Sequence, residues 1–220
     1  ATRLAEARVG TAALIDDEIV RVDAVDPQTG VCTIGRGCAD SVPRPHAAGA
    51  RIWFYDDFAA IPQVEYSQGV SVDVKLLTRS SSGLLAESAA PVDSLALVGR
   101  AGLPYPPGNL KVNGQAWPDQ ITGELAVSWS SRDRITQADQ LLDTTAGNTG
   151  PATGITYRLR IYTGSTLLRT YSGITGTSQL YSAADEAANG GPFTSLRVVL
   201  DSQLNGKTSI QAQEWTVARA

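Results

Sequence analysis

Three stretches in the second half of the chain alternate apolar and polar side chains with a period of two. They are Leu125, Val127 and Trp129; Ile155, Tyr157, Leu159 and Ile161; and Leu196, Val198 and Leu200. The intervening positions are Ala126 and Ser128, then Thr156, Arg158 and Arg160, then Arg197 and Val199. Successive side chains of a strand point to opposite faces, so this beat predicts strands with one buried and one wet face. Each sheet of an antiparallel sandwich requires that pattern. The chain reads as a β scaffold first, and no catalytic constellation of comparable clarity occurs in it.

The same reading extends to seven candidate strands over residues 110–113, 124–130, 156–162, 167–171, 178–182, 196–202 and 208–217. Short strands separated by Gly, Asn and Ser turns are the signature of a sandwich. Asn205-Gly206 is a strong type I′ hairpin signal. Parity slips between Ala212 and Trp215, which predicts a bulge there. Residues 183–188 offer one or two turns of helix at most.

The first half is β-rich by turn signals. Residues 18–26 and 31–35 flank Pro27-Gln28-Thr29-Gly30 as a hairpin, with Val20, Val22 and Ala24 on one side. Further strands are expected at 50–54, at 70–76 and at 94–98, with Ser80-Ser81-Ser82-Gly83 as a break. The segment Gly102-Leu103-Pro104-Tyr105-Pro106-Pro107-Gly108 suits neither helix nor central strand and is read as a stiff linker. The expected organisation is therefore all-β, with a β-rich domain at 1–103 and a sandwich at 104–220.

At 220 residues a packed core needs no metal or disulfide staple. Cys32 and Cys38 are too few for a disulfide framework, and their spacing leaves pairing open. Eighteen Lys and Arg against 22 Asp and Glu give a net charge of -4, with no basic face beside stacking aromatics, which argues against nucleic acid. No apolar run reaches the roughly 18 residues of a membrane span, and no charged-then-apolar leader opens the chain. The absence of methionine leads to the expectation that the chain is a piece of a longer polypeptide.

Pro106-Pro107-Gly108, Trp129 in the second strand and the paired strands around Tyr157 to Tyr171 resemble a fibronectin type III module over residues 104–220. The aromatic corner of that family is missing near Leu196. In the first half, Glu18-Ile19-Val20-Arg21-Val22, Gly35-Arg36-Gly37 and His46-Ala47-Ala48-Gly49 resemble segments of tail-tip and baseplate proteins of long-tailed bacteriophages and prophages. The run from Pro106 to Gly114, with Arg132-Asp133-Arg134 downstream, resembles the passage of such proteins into a type III-like domain. The resemblance implies a structural, non-enzymatic tail component, assembled in the bacterial cytoplasm and carried on the virion near its host-facing end. Its implied partners are other tail or baseplate subunits, a homo-oligomer such as a trimer, and a host surface receptor.

His46, the sole histidine, has no Cys or second His at ligand spacing, so a structural role bonding local backbone is expected. Asp16-Asp17-Glu18 and Asp56-Asp57 suggest calcium or paired carboxylates, but neighbours in a strand face opposite ways, which argues against a shared site. Gly35-Arg36-Gly37 precedes no helix and is not a phosphate loop, and no Gly-x-Ser-x-Gly elbow occurs. Arg36 is either a recognition side chain or, preferably, a turn stabiliser bonded to Asp40 or to carbonyls.

No catalytic residue, metal ligand or cofactor is assigned. The candidate partner contacts are Arg132, Asp133 and Arg134 on the long loop 131–154, Arg36, and Trp53 and Tyr55. Trp53-Phe54-Tyr55 with Trp117, Tyr105 and Tyr66 also admit a carbohydrate-binding module, against the plainer reading that they fill the first core and the domain junction.

Overall fold

A computed structural model describes residues 7–56, 64–138 and 140–220, and its regular structure is nearly all strand. The first four strands are β1 (Ala12–Ile15), β2 (Glu18–Val25), β3 (Cys32–Gly35) and β4 (Ile52–Phe54), hydrogen-bonded antiparallel in the order β3-β2-β1-β4. The expected hairpin is β2–β3, with Asp26 accepting from the amides of Gln28 and Thr29 in its turn. Ala13, Val20 and Val22 form a small core against Ile34, Ile52 and Phe54. Ala24 does not join it, contrary to the alternation. The register shifts between Val22 and Ala24, so Val25 turns inward in its place.

Four short strands follow: β5 (Ser71–Val74), β6 (Arg79–Ser80), β7 (Gly83–Leu84) and β8 (Asp93–Ala96). They pair as two separate ladders, β5–β8 and β6–β7.

The remaining strands build a sandwich. One sheet holds β9 (Gly108–Val112), β10 (Gln115–Ala116), β12 (Leu125–Ser130) and β15 (Ser178–Tyr181) in the order β10-β9-β12-β15. The other holds β11 (Gln120–Ile121), β13 (Thr156–Thr163), β14 (Thr166–Ile174), β16 (Ser195–Leu204) and β18 (Gln213–Arg219) in the order β11-β18-β16-β13-β14, with β17 (Lys207–Thr208) added to β16. The alternating residues meet between the sheets: Leu125, Val127 and Trp129 from one, Tyr157, Leu159, Ile161, Leu196, Val198 and Leu200 from the other. The one α-helix among the described residues, α1 (Ala183–Ala188), is capped by Ser182, whose hydroxyl accepts from the Asp185 amide.

Asn205 and Gly206 both take positive φ, as a type I′ turn demands. The parity slip before Trp215 has a different cause from the expected bulge. The strand breaks after Thr208 and resumes at Gln213, and β18 then pairs with β16 in unbroken register.

The chain divides into two compact units, one of Ala1–Ala59 with Pro104–Ala220 and one of Ala60–Leu103. One edge of this division falls at the expected 103/104 boundary, but the expected 1–103 domain is split, its first part grouping with the sandwich. Residues 7–56 pack with the sandwich because polar side chains of the two are satisfied by each other. The Val42 amide donates to Gln211 Oε1 at 2.9 Å, and Gln211 Nε2 donates to the Asp17 carbonyl at 2.9 Å. The proline segment is also no open linker: Pro104, Tyr105, Pro106 and Pro107 are all buried.

Candidate functional site

The β1–β2 turn places Glu18 at the head of β2 with its side chain fully buried. A buried carboxylate must be paired, and five groups donate to this one. They are Arg36 Nε and Nη2, each at 2.6 Å, the Gly37 and Arg44 amides at 2.9 and 3.0 Å, and His46 Nε2 at 2.9 Å. Burial would raise the Glu18 pKa, but the Arg36, Arg44, His46 and Gly37 hydrogen bonds outweigh it and hold the carboxyl below its ordinary value. With its lone pairs saturated, this carboxylate is an anchor and not a general base.

His46 sits between two acids, with Nδ1 2.8 Å from Asp16 Oδ2 and Nε2 on Glu18. A carboxylate can only accept, so this placement suits a ring that carries hydrogen on both nitrogens and hence a positive charge. Burial works against that charge, yet the bonds to Asp16 and Glu18 prevail and raise the His46 pKa. The expectation of local backbone bonding is thus corrected. Asp16 and Glu18 are two apart, on the same side of the turn, and they do share one partner. Asp56 accepts from the Ala12 amide, and Asp57 lies outside the described residues. Among the described residues no group of three or more His, Cys, Asp or Glu side chains is arranged to hold a metal ion.

A second buried ion, Arg132, draws in the long loop. Its Nη1 donates to the Gly37 carbonyl at 2.8 Å and its Nη2 to the Leu142 carbonyl at 2.9 Å, and its guanidinium lies over the Tyr105 ring. Around it the Thr144 amide donates to the Arg36 carbonyl at 2.7 Å, and Arg21 reaches the Leu141 carbonyl and Asp143. Through Arg132, Leu141, Asp143 and Thr144 the long loop joins residues 7–56 to the sandwich.

Arg134 stacks on Tyr105 at 4.4 Å and reaches Asp40, and Asp133 accepts from the Ile135 amide and the Thr136 hydroxyl. Arg36 is a turn stabiliser, as preferred, but through Glu18 and the Arg44 carbonyl rather than Asp40. Of the expected contacts, Trp53 and Tyr55 face out, at 53% and 37% exposure. Arg51 covers one side of the Trp53 ring, while Ile52 and Phe54 turn to the small core.

Cys32 and Cys38 are both free thiols. Burial pushes the Cys38 thiol up to about 11, which removes it from nucleophilic chemistry.

Two features escape sequence reasoning. The Pro43-Arg44-Pro45 segment, held by Glu18 and Gln211, borders two adjoining hollows of about 460 and 300 Å³ that it shares with Glu214 and Trp215; Trp117 lines the smaller. The second is the apolar surface of the 60–103 unit. Among its described residues only Ala90 is a buried hydrophobe, while Leu76 is 72%, Leu84 58%, Leu95 58% and Val98 63% exposed. No protein-family model matches the chain, and no curated protein matches it either.

Proposed function

We propose that this chain is a non-enzymatic structural module of the tail tip or baseplate of a long-tailed bacteriophage or prophage. Its sandwich, on this reading of fibronectin type III type, and the docked β1–β4 sheet serve as a rigid body. The 60–103 unit makes the subunit contacts. The observation that carries this reading is the outward display of Leu76, Leu84, Leu95 and Val98. Isolated two-stranded ladders are marginal in water, and large apolar side chains left exposed on them favour burial against a partner. Such a unit completes its core against another chain. A closed ring of copies, such as a trimer, with further tail subunits adjoining it, meets that need without open-ended growth. Assembly takes place in the bacterial cytoplasm and the product travels on the virion.

Nothing in the Glu18 or Arg132 clusters asks for a reaction, because their polar atoms are turned on each other. Sedimentation of the whole chain tests the assembly reading. The expected result is a concentration-dependent oligomer that Leu76→Ser with Leu95→Ser shifts toward monomer. A monomer at all concentrations, both alone and mixed with tail extract, overturns it. Release of reducing ends from host cell-wall or capsule polysaccharide would overturn the non-enzymatic part.

A further inference from the structure

The hollows beside Pro43-Arg44-Pro45 play no part in that assembly. From their walls we infer a saccharide-binding site that takes one or two uncharged pyranose rings. The apolar walls are the indoles of Trp117 and Trp215 with the rings of Pro43 and Pro45. Arg36, Arg44 and Glu214 supply the polar lining, Arg36 already bonded to Glu18 and Glu214 accepting from Arg197 Nη1 at 3.0 Å. A pyranose has the matching shape: a C–H face that stacks on an indole, and an edge of adjacent hydroxyls that pairs with planar donors and acceptors. Arg36 and Glu214 are each paired within the chain, which leaves little net charge for a ligand to match and favours an uncharged one. Volumes of about 460 and 300 Å³ lie in the range of small-ligand sites.

Part of the lining is held by hydrogen bonds of the chain itself. Trp215 Nε1 donates to the Pro118 carbonyl at 2.8 Å, which fixes that indole. Arg36 is held by Glu18, and it donates in turn to the Arg44 carbonyl at 2.5 Å. Trp117 holds a φ of 48°, a conformation that bulky residues rarely take. Fixed walls reduce the entropy lost on binding. A proline-rich peptide is the less favoured occupant, since such ligands need an open aromatic ridge, and here the chain's own Pro43 and Pro45 already stand beside the indoles.

The test follows the indole N–H signals of the four tryptophans in the whole chain during titration with maltotriose and with the trimer of N-acetylglucosamine. The expected result is a saturable shift of the Trp117 and Trp215 signals with at least one sugar, Trp129 in the core staying still. Trp117→Ala and Arg44→Ala each weaken binding about tenfold or more while the thermal transition is kept. Three results overturn the inference: no saturable shift up to about 50 mM of either sugar, a weak limit on the affinity scale; a shift confined to Trp53; or movement of the same indoles by a decaproline peptide but by neither sugar. The sugar titration reads the same for monomer and oligomer, so its failure leaves the assembly reading standing.

Discussion

Glu18 and His46 make one electrostatic unit whose stability depends on pH in a defined direction. The folded pKa of Glu18 lies below its model-peptide value of 4.5, so its contribution is present above that pH and fades as pH falls. The folded pKa of His46 lies above 6.5, so its contribution is full below that pH and is lost as pH rises through the raised value. The cluster therefore contributes most between about pH 4.5 and 6.5. Denaturation of wild type and His46→Gln across pH should show the largest gap in that window and a narrowing gap above it. Glu18→Ala strips the partner from Arg36 and leaves two amides unpaired, at a cost of about 3 kcal/mol. Arg132→Met leaves the Gly37 and Leu142 carbonyls without their donor and should cost about 2–3 kcal/mol in urea titration.

The element that most changes meaning between sequence and structure is the 131–154 loop. Its length and its Arg132-Asp133-Arg134 run are those of a binding loop, but Arg132, Arg134 and the Thr144 amide are engaged by Gly37, Asp40, Tyr105 and Arg36. Replacing it with a short Gly-Ser turn should release residues 7–56. Amide hydrogen exchange in β1 and β2 is then expected to speed up while β13 and β16 stay protected. Equal protection of all four strands in the variant would show that the loop is not the joint. On the outer face of the second sheet, Arg158 and Arg160 occupy the wet positions that alternation assigns them. Both are nonetheless pinned by Asp201, which is itself buried. A polar face can be read from a period of two, but its ion pairs depend on which strands lie side by side.

For the whole molecule, the decisive contrast is between two units that solve burial differently. The unit of Ala1–Ala59 with Pro104–Ala220 encloses two apolar cores, whereas among the described residues of the Ala60–Leu103 unit only Ala90 is a buried hydrophobe. Hydrogen exchange should therefore show slow amides in β9, β12, β13 and β16. In β5 and β8 the amides should be fast in the monomer and slow in the oligomer. Oligomers in which β5 and β8 remain fast would place the interface elsewhere.

The all-β class, the sandwich strands, the Asn205-Gly206 turn and the short extent of the helix at 183–188 were legible from the chain alone. Each rests on interactions within a few residues, such as the two-residue beat and the positive φ of Asn and Gly. What only the tertiary structure decided is which polar residues are spent. Glu18 and His46 are 28 positions apart, and Gly37 and Arg132 are 95 apart. Nothing local distinguishes an arginine that will be buried on a carbonyl from one that will meet a partner. The same holds for domain limits, because residues 7–56 join the sandwich through hydrogen bonds that span more than a hundred positions, and burial of charge is settled only when those distant donors and acceptors meet.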